Sequence, residues 1–143
     1  MQTIIIENKS LASHFFELLN NRSFHEMENL WTENHKLYFS GNAVPFNKKE
    51  HMDLINKFFL GFPDFKYIIQ DEISEGDKIV LRGKIQGTHQ SEYQGIEASG
   101  RKIEVSWIAV FEILGGKIND EWLFIDNLSL MHQIGAIPYQ INV

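Results

Sequence analysis

The hydrophobic period of this chain changes near Phe65, from the spacing of a helix to that of a strand, and that change limits the architectures open to it. In "SLASHFFELLN", Leu11, Phe15, Leu18 and Leu19 fall at helical spacing and make one apolar stripe. Ser23 and Glu26 have capping-box spacing and open a short helix with Met27, Leu30 and Trp31 inward. Asn47 and Glu50 repeat the device before Met52, Leu54, Ile55, Phe58 and Phe59, and Gly61 and Pro63 stop that helix. The first sixty residues thus read as helical.

From Phe65 the period is two. Phe65, Tyr67, Ile69 and Ile73 alternate with Lys66, Gln70 and Glu72, and after the turn "SEGD" so do Ile79, Leu81 and Ile85 with Lys78, Arg82 and Lys84. Ile103, Val105, Trp107, Ala109, Phe111 and Ile113 form the longest alternating face. Gly115 and Gly116 turn the chain into a last strand, Ile118 to Asp126. The stretch Gln90–Arg101 reads as an excursion with turns. Helices followed by antiparallel strands predict an α+β domain with the helices on one sheet face, and without repeats or composition breaks residues 1–143 read as one domain.

Composition removes several functions. Thirteen basic against nineteen acidic side chains give a net charge of −6, so no nucleic-acid partner is expected. The apolar runs are far shorter than the roughly 20 residues of a membrane span, and the start "MQTIIIENK" lacks the features of a secretory leader. No membrane partner and a cytoplasmic location are the expectation. Without cysteine there is no thiol nucleophile or thiolate site. The histidines at 14, 25, 35, 51, 89 and 132 make none of the short metal-binding spacings, so no metal is expected. "NKKEH" reads as a solvated helix start, and no phosphate-cradling loop or G-x-S-x-G elbow is present.

Several motifs in order resemble one family. "GFPDFKY", then G-T-H and Y-x-G-I between Gly87 and Ile96, S-G-R at Ser99 to Arg101, and G-K-I, E-x-W, D and L-x-x-x-x-Q-I-G at the end look like the SnoaL-like polyketide cyclases of the nuclear transport factor 2-like superfamily. The likeness runs from about Ser10 to Pro138. It implies a cone-shaped α+β barrel, with N-terminal helices on a strongly curved, mostly antiparallel sheet enclosing a pocket. It also implies a homodimer through the outer sheet face, and cofactor-free aldol chemistry with an acidic residue near the end of the last strand. The matching residue is Asp126. The loop after G-T-H departs from the family's usual pattern, which bears on the substrate more than on the fold.

Asp126 shares strand parity with Trp122 and Phe124, so an aromatic environment that raises its pKa is one reading. Capping of a short terminal helix with Leu128, Met131 and Ile134 is the other. His89 follows Gly87 and Thr88 at a strand end and is the candidate to assist Asp126. Trp107, Trp122, Tyr38 and Phe58 are candidate walls for a small hydrophobic substrate. Glu121, of opposite parity, reads as a surface or dimer-face group. The expectation is cofactor-free acid/base chemistry on a hydrophobic carbonyl compound, of the cyclase or isomerase type. The alternative is a non-catalytic ligand-binding or dimerisation module on the same fold.

Overall fold

The structure, a computed structural model, describes residues 2–138, and residues 2–10 as backbone alone, so most of the "MQTIIIENK" reading lies outside it. The elements are α1 (Gln2–Asn20), α2 (Phe24–Glu28), β1 (Trp31–Phe39), β2 (Phe46–Asn47), α3 (Lys48–Gly61), β3 (Lys66–Glu75), β4 (Lys78–Thr88), β5 (Lys102–Leu114), β6 (Lys117–Ile125) and α4 (Asn127–Gln133). The strands form one open sheet in the order β2-β1-β6-β5-β4-β3. Among the described residues only β1 and β6 pair in parallel. Helices α1 and α3 cover the inner face in a cone-like α+β arrangement, although the sheet does not close into a barrel.

The inner layer is aromatic. Phe15 and Phe16 of α1 reach down onto Trp31, Tyr67, Trp107 and Phe111, with ring centroids 4.9–6.1 Å apart. Each ring removed from water contributes on the order of 2 kcal/mol. The alternation read in β5 is correct along its whole length, for every odd residue from Ile103 to Ile113 is buried.

The helical half contains strands that the sequence did not announce. Trp31 does not close a helix but begins β1, because α2 ends at Glu28. Ser23 makes no capping hydrogen bond with its side chain, whereas Asn47 and Glu50 exchange both bonds of a capping box, at 2.9 and 3.0 Å.

Two extra residues invert the parity of strands read as regular. Between β3 and β4, Ile69 pairs with Gly83 and Asp71 with Arg82, so Gln70 is a bulge and Ile73 lands outside, 66% exposed. A Cβ on Gly83 would lie 1.8 Å from the Ile68 carbonyl oxygen, so only glycine fits beside this kink. Between β5 and β6, Ile113 pairs with Ile118 and Glu112 with Asp120, so Asn119 is the extra residue. Beyond it Glu121, Leu123 and Ile125 are buried, while Phe124 is exposed and Trp122 half-buried on the outer face.

The caps offer a direct check. Asn47→Ala should cost about 1 kcal/mol in urea denaturation, while Ser23→Ala, which removes no cap, should stay within about 0.5 kcal/mol of the parent.

Candidate active site

The bulge at Asn119 builds the site as well as the strand. The Asn119 side chain accepts from Thr32 Oγ1 at 2.9 Å, and its carbonyl oxygen lies 2.9 Å from His35 Nδ1. Nε2 of His35 lies 2.8 Å from Nδ1 of His51, which enters from the first turns of α3. The two imidazoles lie side by side over the indole of Trp31, each 4.5 Å from it between ring centroids. All three rings are buried.

This chain of hydrogen bonds fixes the tautomers. A carbonyl can only accept, so Nδ1 of His35 carries hydrogen and its Nε2 accepts. Nδ1 of His51 must then donate, which leaves the lone pair on Nε2 of His51. Burial pushes the His35 pKa down to about 4, against a smaller upward pull from the hydrogen bond to Asn119. Burial, and next the neighbouring His35, hold His51 well below its ordinary range. Both are neutral bases at physiological pH.

Glu121 faces them from β6, paired with Leu37 on one side and Phe111 on the other. It is 2% exposed, its Oε1 has no hydrogen-bond partner, and burial pushes its pKa up to about 8. It is therefore a neutral carboxylic acid at pH 7. Ligand atoms of His35, His51 and Glu121 lie within 4.8 Å of one another. Such a donor set suits a divalent transition metal in kind. To ligate, His35 Nε2 would first have to give up the hydrogen bond that it accepts from His51 Nδ1.

His51 and Glu121 line a cavity of about 10 Å³ with Phe15, Phe16, Leu19, Leu54, Ile55, Phe58, Tyr67 and Leu123. Its volume is that of about one water molecule. Among the residues lining this cavity no lysine or arginine is found. Burial, and then Glu121 and Tyr93, raise the Tyr67 hydroxyl well above its ordinary range, so it remains a neutral phenol.

The residues expected at the site fall in different places. Asp126 lies outside this cavity: its Oδ1 accepts from the Ser129 N–H at 3.1 Å, and the residue is the exposed N-cap of α4. The capping alternative describes its position. Trp122 and Tyr38 stack on each other at 5.1 Å on the outer face and are not cavity walls. Trp107 is buried beside Phe16 and Tyr67 and donates to the Lys84 carbonyl at 3.0 Å, one layer from the cavity. Phe58 lines the cavity.

His89 is fully buried, but it organises the loop that follows. Its Nδ1 accepts from the Ser99 N–H at 3.1 Å and lies 2.9 Å from Ser99 Oγ, while its ring stacks on Phe62. Backbone bonds to Arg101 and Gly100 close the same loop.

Glu121, His35 and His51 escaped the sequence reading for identifiable reasons. Glu121 was assigned to the outer surface by a parity that the bulge reverses. The two histidines lie sixteen residues apart on different elements, so no spacing rule joins them. The stretch "NKKEH" is solvated only as far as Glu50.

Opposed proton linkages shape the stability. The folded chain keeps a proton on Glu121 that the unfolded chain releases above about pH 4.5, so this contribution is lost as pH rises from about 4.5 to about 8. The unfolded chain protonates His35 and His51 near pH 6.5 and the folded chain refuses them, so stability is also lost as pH falls below 6.5. Denaturation midpoints measured across pH should therefore peak near neutrality. Glu121→Gln should flatten the alkaline limb up to about pH 8 and steepen the acid limb between about pH 4.5 and 6.5, where Glu121 opposes the histidines.

Comparison with known proteins places the chain in a family. The family model described as SnoaL-like polyketide cyclase matches residues 9–134. Among solved structures, AclR from Streptomyces galilaeus, provisionally described as a hydroxylase, superposes with a TM-score of 0.88 at 20% identity, covering 96% of this chain and 87% of that one. TsrD from Streptomyces laurentii gives 0.80 at 26% identity, covering 92% and 97%. A SnoaL-like polyketide cyclase from Agrobacterium tumefaciens gives 0.75 at 20%, covering 90% and 98%. No curated protein matches the chain. With the family model spanning nearly the whole chain and the same fold in these structures, the chain belongs to the SnoaL-like polyketide cyclase family.

Proposed function

We propose that this protein moves a proton at the carbon beside a carbonyl group of a small, uncharged hydrophobic compound, by acid/base chemistry of its own side chains. The observation that carries this reading is a neutral base, His51, and a protonated acid, Glu121, lining one aromatic cavity. Acid and base kept apart in pKa by their surroundings are what enolisation requires. His51 Nε2 takes the α-proton as Glu121 gives its proton to the carbonyl oxygen. The C–H bond breaks, an O–H bond forms, and the enol is left beside an imidazolium–carboxylate pair. Attack of the enol carbon on a second carbonyl closes a ring; return of the proton to another carbon isomerises. His35 acts as a positioning residue, holding the His51 tautomer through the proton they share. The pair is assigned to Glu121 and His51 rather than to Asp126 and His89, since the last two hold a helix start and a loop.

One observation favours the non-catalytic binding reading. The cavity of about 10 Å³ admits no substrate in this conformation. Exchange of α-protons separates the two. In D2O, with a neutral aryl alkyl ketone, the parent protein should catalyse α-deuteration, read by mass spectrometry, with a decline above about pH 8 as Glu121 ionises. Glu121→Gln and His51→Ala should slow it by about 100-fold or more, and Asp126→Asn by less than about threefold. Loss of exchange in Asp126→Asn alone would return the role to Asp126.

The expected homodimer is proposed on the outer face of the sheet, where Val80, Ile108 and Phe124 are exposed and Ile108 pairs with Phe124. Sedimentation should report a dimer for the parent and a monomer for Phe124→Lys.

A further inference from the structure

A second concavity lies on the far side of one wall of the catalytic cavity. It is a groove of about 310 Å³ lined by Leu54, Lys57, Leu60, Glu92, Tyr93 and Gln94. Leu54 lines both spaces. Phe58, a wall of the inner cavity, packs at a tilt against Tyr93, a wall of the groove, with ring centroids 5.5 Å apart. Leu54, Phe58 and Tyr93 thus form part of the partition between the groove and the cavity that His51 and Glu121 line.

The groove is built, not incidental. Gly61 lets the loop press onto α3, for a Cβ there would sit 3.0 Å from Tyr93 Cβ. The Gln90 N–H donates to the Gly61 carbonyl, and Tyr93 and Ile96 bridge across a turn at Gln94 and Gly95, both at positive φ. Leu60 nevertheless stays 69% exposed at the rim, on a helix whose other large apolar residues are at least half-buried. Lys57 and Glu92 bring one charge of each sign, so the groove selects for neither.

We infer that this groove is the subsite for the body of an elongated, uncharged, apolar ketone, whose carbonyl end passes Leu54 into the inner cavity. The inference rests on the proton-transfer reading for the direction in which the ligand lies. The groove is at the size of small-ligand sites, while the inner cavity holds about one water molecule in this conformation and admits the reacting end only when its wall opens at Leu54. Leu54 is then a specificity-determining residue, since its side chain must turn aside for the ketone to enter.

The test is a binding titration of the full chain with 6-propionyl-2-(dimethylamino)naphthalene, a neutral aryl ketone whose emission moves to the blue on leaving water. Saturable one-to-one binding is expected. Leu60→Asp, at an exposed position, and Leu54→Trp should each weaken it tenfold or more, with unchanged melting of Leu60→Asp confirming the fold. Ile73→Asp, at a separate groove by the β3–β4 turn, should leave the Kd within twofold. No saturable binding, or affinity unmoved by both Leu60→Asp and Leu54→Trp, overturns the subsite. Binding that follows this pattern without α-deuteration in the parent keeps the subsite and sinks the proton-transfer reading instead.

Discussion

One unpaired residue, Asn119, decides which side of β6 faces the core. Every side chain after a one-residue slip changes face, so the bulge puts Glu121, Leu123 and Ile125 inside and Trp122 and Phe124 outside. The bulged residue is itself held at both ends. Its side chain takes the Thr32 hydroxyl, and its carbonyl takes the His35 ring. The irregularity in β6 and the irregular stretch of β1 between Trp31 and Lys36 are thus two sides of one contact. From it follow the tautomer of His35, the tautomer of His51 and the neutral pair that faces the cavity.

Keeping three ionisable groups in an aromatic core is costly, and the structure reduces the cost in two ways. The histidines discharge their polarity onto each other and onto a backbone carbonyl, and Trp31 covers both rings. Glu121 has no such partner for Oε1 and instead keeps its proton, since a neutral carboxyl loses far less on leaving water than a carboxylate. The core thus holds three ionisable groups whose pKa values burial displaces in opposite directions, down for the imidazoles and up for the carboxyl.

The loop that follows β4 complements this interior. His89, Ser99 and Arg101 tie its two ends together, and Gly61 admits Tyr93 onto the ring of Phe58. The result is a wall thin enough to separate a roomy outer groove from a nearly closed inner cavity. A histidine that looks like a proton shuttle by its place after G-T-H is, by its bonds, an anchor for this wall.

Much of the architecture was legible in the chain because it depends on local patterns. The period change at Phe65, the unbroken alternation from Ile103 to Ile113, the Asn47–Glu50 capping box and the paired glycines at 115 and 116 each specify an element through its own neighbours. The order of its motifs gave the family for the same reason. Strands β1 and β2 were not legible, since short polar segments such as "TENHK" acquire strand structure only by pairing with β6. Nor was the site. Glu121 is a surface residue by alternation and a buried acid by register, and His35 and His51 meet only when β1 and α3 pack together. Asp126, prominent in the sequence, has a local use as a cap. Local pattern fixed which elements form, while non-local register and packing, which carry no signature in neighbouring residues, decided which side chains share the interior.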